Sequence, residues 1–282
     1  MSSYGSLDVE VGVFGPTETD RAKDFYLEHG FAVIRGLWSE EYVDRLDAAC
    51  GRAQADLAAG RLDERHRSRE SFDPTDGSAT PTVHYVLHVS EVVDQVRESF
   101  HEPTVSGLVT DLIGPNWLLE GGLFGVVFQD ARSDEKSGYS RIGWHSDWQG
   151  GPHLDRWPAT AITVHLDATS PANGFLRVLP GSHLWATPAP PVSERPAGWH
   201  DTGGRTGQAP PVEMPDAFQA VPGELALYCR RGDVLLHDCY LWHAAARGTD
   251  DTRGRRHLRG SRYTGREEQG VVPGQFVKNA AR

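Results

Sequence analysis

The chain has 282 residues, a formal net charge of −11, 31 glycines, 18 prolines and only two methionines. That length suffices for one domain with a sizeable core, and the composition describes a turn-rich, soluble globular protein in which no run approaches the ~18 consecutive apolar residues of a membrane span. The acidic balance argues against a nucleic-acid partner and leaves a cationic small molecule open. The opening MSSYGSLDVEVGVFG lacks a charged segment followed by an apolar one, so no secretory signal is expected and the cytoplasm is the expected compartment. Cys50, Cys229 and Cys239 form an odd set without metal-type spacing, which fits buried thiols rather than a disulfide framework.

Taken in chain order, residues 18–29 and 40–62 carry apolar side chains at helical spacing. Ser39 is a plausible N-cap for the second, with Glu40 and Glu41 in the first turn where the helix dipole favours acids. Between them, GFAVIRGL at 30–37 reads as a strand. Residues 63–82 are polar and broken by Pro74 and Gly77, a loop or lid. Helices are expected at 90–100 and 104–113.

From Trp117 the texture changes to short β-prone runs between Gly, Pro, Asn and Asp, at about 117–129, 139–147, 159–168, 174–179, 224–229, 233–238, 241–246 and 256–264. Such a series suggests a sandwich or barrel, mainly β with flanking α-helices, and a double-stranded β-helix of jelly-roll type is one such answer. The expectation is a single domain over 1–282, with a helical part at about 17–115, a β core at about 116–265 and a tail at 266–282. The core carries a Pro/Gly-rich insert at about 185–222 that reads as a cover or a subunit contact.

The chemistry-bearing pattern is His145-x-Asp147 in RIGWHSDW, followed ~100 residues later by His243 in LWHAA. Alternate side chains of a strand share a face, so an H-x-D pair presents an imidazole beside a carboxylate. With one distal histidine this makes a facial triad, whose two imidazoles and one carboxylate suit Fe(II) and leave the opposite face open for a co-substrate and O2. With thirteen histidines and thirty-nine acids in the chain, an isolated H-x-D carries little weight, and the flanking residues decide.

Those flanks are HGFAVIRGLWSEEYVDRL near the N-terminus, WHSDW at 144–148, DATSPANGFLRVLPGSH at 167–183, and GDVLLHDCYLWH at 232–243 with RRHLRGSRY at 255–263. With them the chain resembles the phytanoyl-CoA dioxygenase (PhyH) family of Fe(II)- and 2-oxoglutarate-dependent oxygenases, including its ectoine hydroxylase and free-amino-acid hydroxylase branches. The resemblance implies a cupin-like jelly-roll core in which His145, Asp147 and His243 hold Fe(II), with 2-oxoglutarate and O2 as co-substrates. It also implies an oxidation of a small molecule, hydroxylation first, in specialised-metabolite biosynthesis with release of succinate and CO2. Halogenating relatives carry a small residue in place of the carboxylate, so Asp147 favours hydroxylation. His237 competes with His243 and reads better as a histidine that orients a ligand; His183 in PGSH reads as structural.

The distal carboxylate of 2-oxoglutarate calls for a cation, which an arginine meets with two parallel hydrogen bonds. Relatives place this arginine eleven residues after the distal histidine, where this chain has Gly254. They also place an aromatic residue seven positions after the arginine, and counting back from Tyr263 selects Arg256, with Arg253 and Arg255 as alternatives. Gln129 and Thr163 stand where relatives contact the co-substrate, whereas a hydroxyl common two residues past the distal histidine is replaced by Ala245.

Candidate substrate contacts are Trp148, Gln149, Trp157 and Trp199, as aromatic or polar residues near the expected mouth, and Arg141, which shares strand parity with His145 and is suited to an anionic substrate. The residues after Asp147 and the insert depart from the ectoine branch, so no known substrate carries over. Desaturation, cyclisation, epimerisation or alcohol oxidation on the same centre stay open, as do a 2-oxoglutarate-independent jelly-roll isomerase or hydrolase, a non-catalytic binding module, and a monomer or a homodimer.

Overall fold

The computed structural model describes residues 11–67, 85–120, 126–130, 142–150, 157–189, 202–246, 248–250, 254–264 and 276–278. Strand β1 (Val13–Phe14) leads into helix α1 (Thr19–His29), strand β2 (Phe31–Ile34) and helix α2 (Glu40–Ala58). α1 stops at Gly30, whose φ of 85° is the left-handed geometry that glycine adopts without cost. α2 starts where expected, with Ser39 Oγ accepting the backbone N–H of Tyr42 at 3.2 Å. It ends at Ala58 rather than at residue 62, just before Gly60 turns left-handed. Strand β3 (Tyr85–Val86), helices α3 (Val89–Val92), α4 (Asp94–Phe100) and α5 (Pro103–Ile113) follow. The single helix expected over 90–100 is broken because Val93 is extended and buries its β-branched side chain in the core.

The remaining strands are β4 (Trp117–Glu120), β5 (Val127–Asp130), β6 (Ile142–His145), β7 (Ala159–His165), β8 (Phe175–Val178), β9 (Thr187–Pro188), β10 (Thr202–Gly203), β11 (Leu225–Leu227), β12 (Val234–Asp238), β13 (His243–Ala246), β14 (Arg256–Thr264) and β15 (Phe276–Lys278). The run expected as one strand over 117–129 forms two, β4 and β5, each pairing a different half of β14.

The larger sheet has the order β1-β2-β12-β7-β14-β4-β15, with β5 and β3 attached beside β14, and the smaller has the order β11-β8-β13-β6. Alternation sorts the larger sheet into two faces. Ala32, Ile34, Ile162, Val164, Val234, Leu236 and Leu258 pack with α2, α4 and α5 into the main core. The opposite face supplies Phe31, Val33 and Leu235, which meet Val178, Leu227 and Leu241 from the smaller sheet and its flanks. The two sheets thus enclose an interior, the expected jelly-roll with helices on one side. Among the described residues no helix is long and apolar enough to cross a membrane.

The described part of the insert is fastened to the barrel. Trp144 N donates to Ala217 O at 2.8 Å, and its indole N–H donates to Gln219 O at 2.8 Å. A Cβ at Gly143 would come within 2.8 Å of Ala217 O, so a glycine is needed for this close approach.

Candidate metal centre

His145 is the last residue of β6, and β13 opens with His243 directly opposite it in register, their ring centroids 4.2 Å apart. Asp147 is not on the strand, as the expected 139–147 run implied. It begins a 3-10 turn, Asp147–Gly150, that is anchored by Trp148 N donating to Cys239 O at 2.9 Å. The turn brings the carboxylate under both rings: Oδ1 lies 3.9 Å from His145 Nε2 and 3.6 Å from His243 Nε2.

The rings are preset for a metal. His145 Nδ1 donates to Gly143 O at 2.8 Å and His243 Nδ1 donates to Leu241 O at 2.8 Å. A carbonyl only accepts, so both protons sit on Nδ1, and Nε2 faces Asp147 with a lone pair. Among the described residues this is the one group of three His, Cys, Asp or Glu side chains whose ligand atoms lie within 4.8 Å of one another. Burial lowers both imidazoles below their ordinary value, and for His243 the neighbouring His145 adds to it. Burial works the other way on Asp147, but Arg259, His237 and His243 outweigh it and hold the carboxyl well below the usual range. Two neutral imidazoles and one carboxylate are the donor set that fits a divalent iron.

His237 comes from β12 in the other sheet; its Nε2 lies 3.3 Å from Asp147 Oδ2 and its ring centroid 4.7 Å from that of His243. It touches the carboxylate on the oxygen turned away from the two other ligands, so it orients Asp147 rather than joining the triad.

Arg256 requires a correction. It projects from the helix-facing side of β14, where Nε and Nη2 donate to Asp167 at 2.9 and 3.0 Å and Nη1 reaches Asp47 of α2 at 2.8 Å. A separation of seven along one strand puts Arg256 and Tyr263 on opposite faces, which the spacing from Tyr263 left out of account. The interior-facing side chains are the odd-numbered ones: His257, Arg259, Ser261 and Tyr263, with Arg255 just ahead of the strand. Arg259, which sequence reasoning missed, places Nη2 3.2 Å from Asp147 Oδ1; strand parity with Tyr263 was the signal that identifies it. Arg255 is buried beside Tyr85, and burial pushes its guanidinium down to about 10, with Tyr85 opposing. Gln129 and Thr163 lie on the same interior surface, opposite His257 and Arg259 respectively, and Gln129 Nε2 donates to Tyr85 Oη at 3.0 Å.

Of the expected substrate contacts, Trp148 is 1% exposed and packs so closely on Gly203 that a Cβ there would overlap its indole. Gln149 accepts from Ser146 N at 3.0 Å and donates to Pro188 O at 3.3 Å, closing the turn. These two are packing and turn residues. Trp157 stands at the interior aromatic cluster, 5.4 Å from Tyr263 and 5.8 Å from Tyr240. Arg141, Trp199 and Arg253 lie outside the described residues. His183 fills the space under Gly30 and donates from Nε2 to Leu27 O at 3.1 Å, a structural position.

The model of the phytanoyl-CoA dioxygenase (PhyH) family matches residues 26–256, which include every residue of the triad. The chain belongs to this family. As a member it is an iron- and 2-oxoglutarate-dependent dioxygenase, and the triad is the donor set that chemistry requires. The chain is 25% identical over 241 residues to an ectoine dioxygenase of Nocardia farcinica, covering 83% of this chain and 74% of the relative. Among solved structures it is similar to the epimerase SnoN in complex with Fe3+, alpha ketoglutarate and nogalamycin RO, at 20% identity and a TM-score of 0.62 over 92% of this chain and 91% of that one. EctD from S. alaskensis with 2-oxoglutarate and 5-hydroxyectoine gives 20% identity and a TM-score of 0.61 over 86% and 75%. The carbocyclase SnoK from nogalamycin biosynthesis gives 20% and 0.60 over 91% and 92%. At these identities the solved structures establish the shared jelly-roll fold.

Proposed function

We propose that this chain hydroxylates a small organic molecule of specialised metabolism, with Fe(II) held by His145, Asp147 and His243. The observation that carries the assignment is the pair of Nδ1 protons tied back to Gly143 O and Leu241 O, which leaves both Nε2 lone pairs aimed at the Asp147 carboxylate. Bound there, Fe(II) with 2-oxoglutarate and O2 supplies the oxidising power, releasing succinate and CO2. The protein supplies ligands, orientation and a water-poor interior. Asp147 takes the position that a halide would need, which favours hydroxylation over halogenation.

Arg255, Gln129 and Thr163 are the residues assigned to 2-oxoglutarate, with Arg255 on the distal carboxylate. The far end of a dicarboxylate chelated through its near end lies beyond the ligand shell. Arg259 is already in contact with a ligand oxygen, whereas Arg255 lies four residues earlier, just ahead of β14, beside Tyr85, whose hydroxyl accepts from the Gln129 amide. An arginine meets a carboxylate with two parallel hydrogen bonds, which suits Arg255 to that end of the co-substrate.

Anaerobic titration with Fe(II) and 2-oxoglutarate tests this through the visible charge-transfer band of the chelate. The band is expected in the wild type, absent in Asp147→Ala, and shifted to at least about tenfold higher 2-oxoglutarate in Arg255→Gln. Metal binding without the band would instead indicate a redox-neutral jelly-roll enzyme. Once a substrate turns over, the mass of the product separates hydroxylation from desaturation, cyclisation and epimerisation.

A further inference from the structure

Arg259 lies at the metal centre in a way that the triad does not require. Its Nη2 sits on Oδ1 of Asp147, the oxygen that also faces both ligand imidazoles. Its side chain is 41% exposed, while those of Asp147, His243 and His237 are 10, 6 and 4% exposed. With His145, whose side chain is 31% exposed, the guanidinium marks the open side of the centre.

A dication on Oδ1 and a guanidinium on the same oxygen repel one another, and the repulsion is large in a poorly solvated site. Loading the metal thus sets a dication beside the guanidinium, and a negatively charged group brought alongside is attracted to both. Further along the same face of β14 come Ser261 and Tyr263, opposed on β7 by Ala161 and Ala159. Ala159, Ala161, Cys239 and Tyr263 form an apolar cluster with Trp157 packed against it. Trp157 stands edge-on to Tyr263 at 70° and also meets Tyr240. A cation that shares a strand face with small and aromatic side chains suits a ligand with an acidic group on an apolar, ring-bearing body.

We propose that Arg259 is the substrate-reading residue of this enzyme and that the substrate is an organic acid, its carboxylate on Arg259 and its apolar body toward Tyr263 and Trp157. The proposal rests on the iron and 2-oxoglutarate assignment above, and it differs from a positively charged substrate, which the net charge of −11 left open.

The test uses the full-length protein loaded anaerobically with Fe(II) and 2-oxoglutarate, probed with benzoate, cyclohexanecarboxylate and 2-naphthoate against their primary amides. The readout is the perturbation of the charge-transfer band. In the wild type the acids are expected to act at concentrations at least about tenfold below the amides, because a charge-assisted contact is lost in the amide. Arg259→Gln is expected to bring acid and amide to within about twofold, and Arg259→Lys to restore part of the difference. Equal response to acids and amides in the wild type overturns the proposal. So does a rise of about tenfold in the 2-oxoglutarate needed by Arg259→Gln, which would put the guanidinium on the co-substrate. Absence of the band in the wild type is a separate outcome that overturns the oxygenase assignment itself.

Discussion

The imidazole of His237 stands 3.3 Å from Oδ2 of Asp147, reaching across from the larger sheet to a carboxylate held by a turn that follows the smaller one. The contact fixes the rotation of the carboxylate and leaves Oδ1 toward the two ligand rings. Removal of such a partner weakens metal binding by about 10–100-fold in comparable sites. His237→Leu is therefore expected to raise the Co(II) concentration needed for half-saturation by that order, with His237→Gln recovering part of it because an amide N–H also donates. Unchanged Co(II) affinity in a folded His237→Leu protein would show that the turn alone orients Asp147.

Arg256 ties α2 to the sheet through Asp47 and closes the end of β7 through Asp167. Arg256→Ala breaks a bidentate, half-buried pair and is expected to cost about 1–3 kcal/mol of stability in denaturant unfolding. Its 2-oxoglutarate titration should match the wild type. A loss of co-substrate affinity without a loss of stability would return Arg256 to the co-substrate site.

The insert also makes a prediction. Arg205 donates its Nε to Asp238, whose side chain is fully buried, and its backbone N–H donates to His183 O at 2.8 Å. Arg205→Ala leaves the Asp238 carboxylate buried without its cation, which costs about 3–5 kcal/mol for pairs of this kind. A lower thermal midpoint and faster proteolytic cleavage within 202–222 are expected. Wild-type resistance in the variant would mean that this stretch is not anchored through Arg205.

His165 gives the fold a pH dependence. Burial pushes its imidazole down to about 4 from an ordinary 6.5, with Asp233 working against the shift. The folded state keeps the ring neutral while the unfolded chain takes up a proton below 6.5, so this contribution is fully present above 6.5. It is lost progressively as the pH falls toward 4, by about 3 kcal/mol in all. Replacing His165 with Gln should flatten the fall in unfolding free energy between those two values. An identical slope in wild type and variant would refute a neutral, buried ring.

The sequence determined the local structure and which three side chains form the candidate triad. Gly30 and Ser39 bound two helices as glycine and serine chemistry dictates, the β-prone runs locate most of the strands, and His145, Asp147 and His243 converge as the facial-triad pattern requires. What only the tertiary structure decided is which side of each strand is the inside. Alternation says that Arg256 and Arg259 face opposite ways, but the assignment of faces depends on α2 and α4 covering one surface of the sheet with Asp47 and Phe100. Trp148 and Gln149 looked like pocket residues by adjacency to Asp147, yet the turn carries them into packing against Gly203 and Pro188. These partners are distant in the chain and are chosen by packing and charge pairing between elements, which no local spacing encodes.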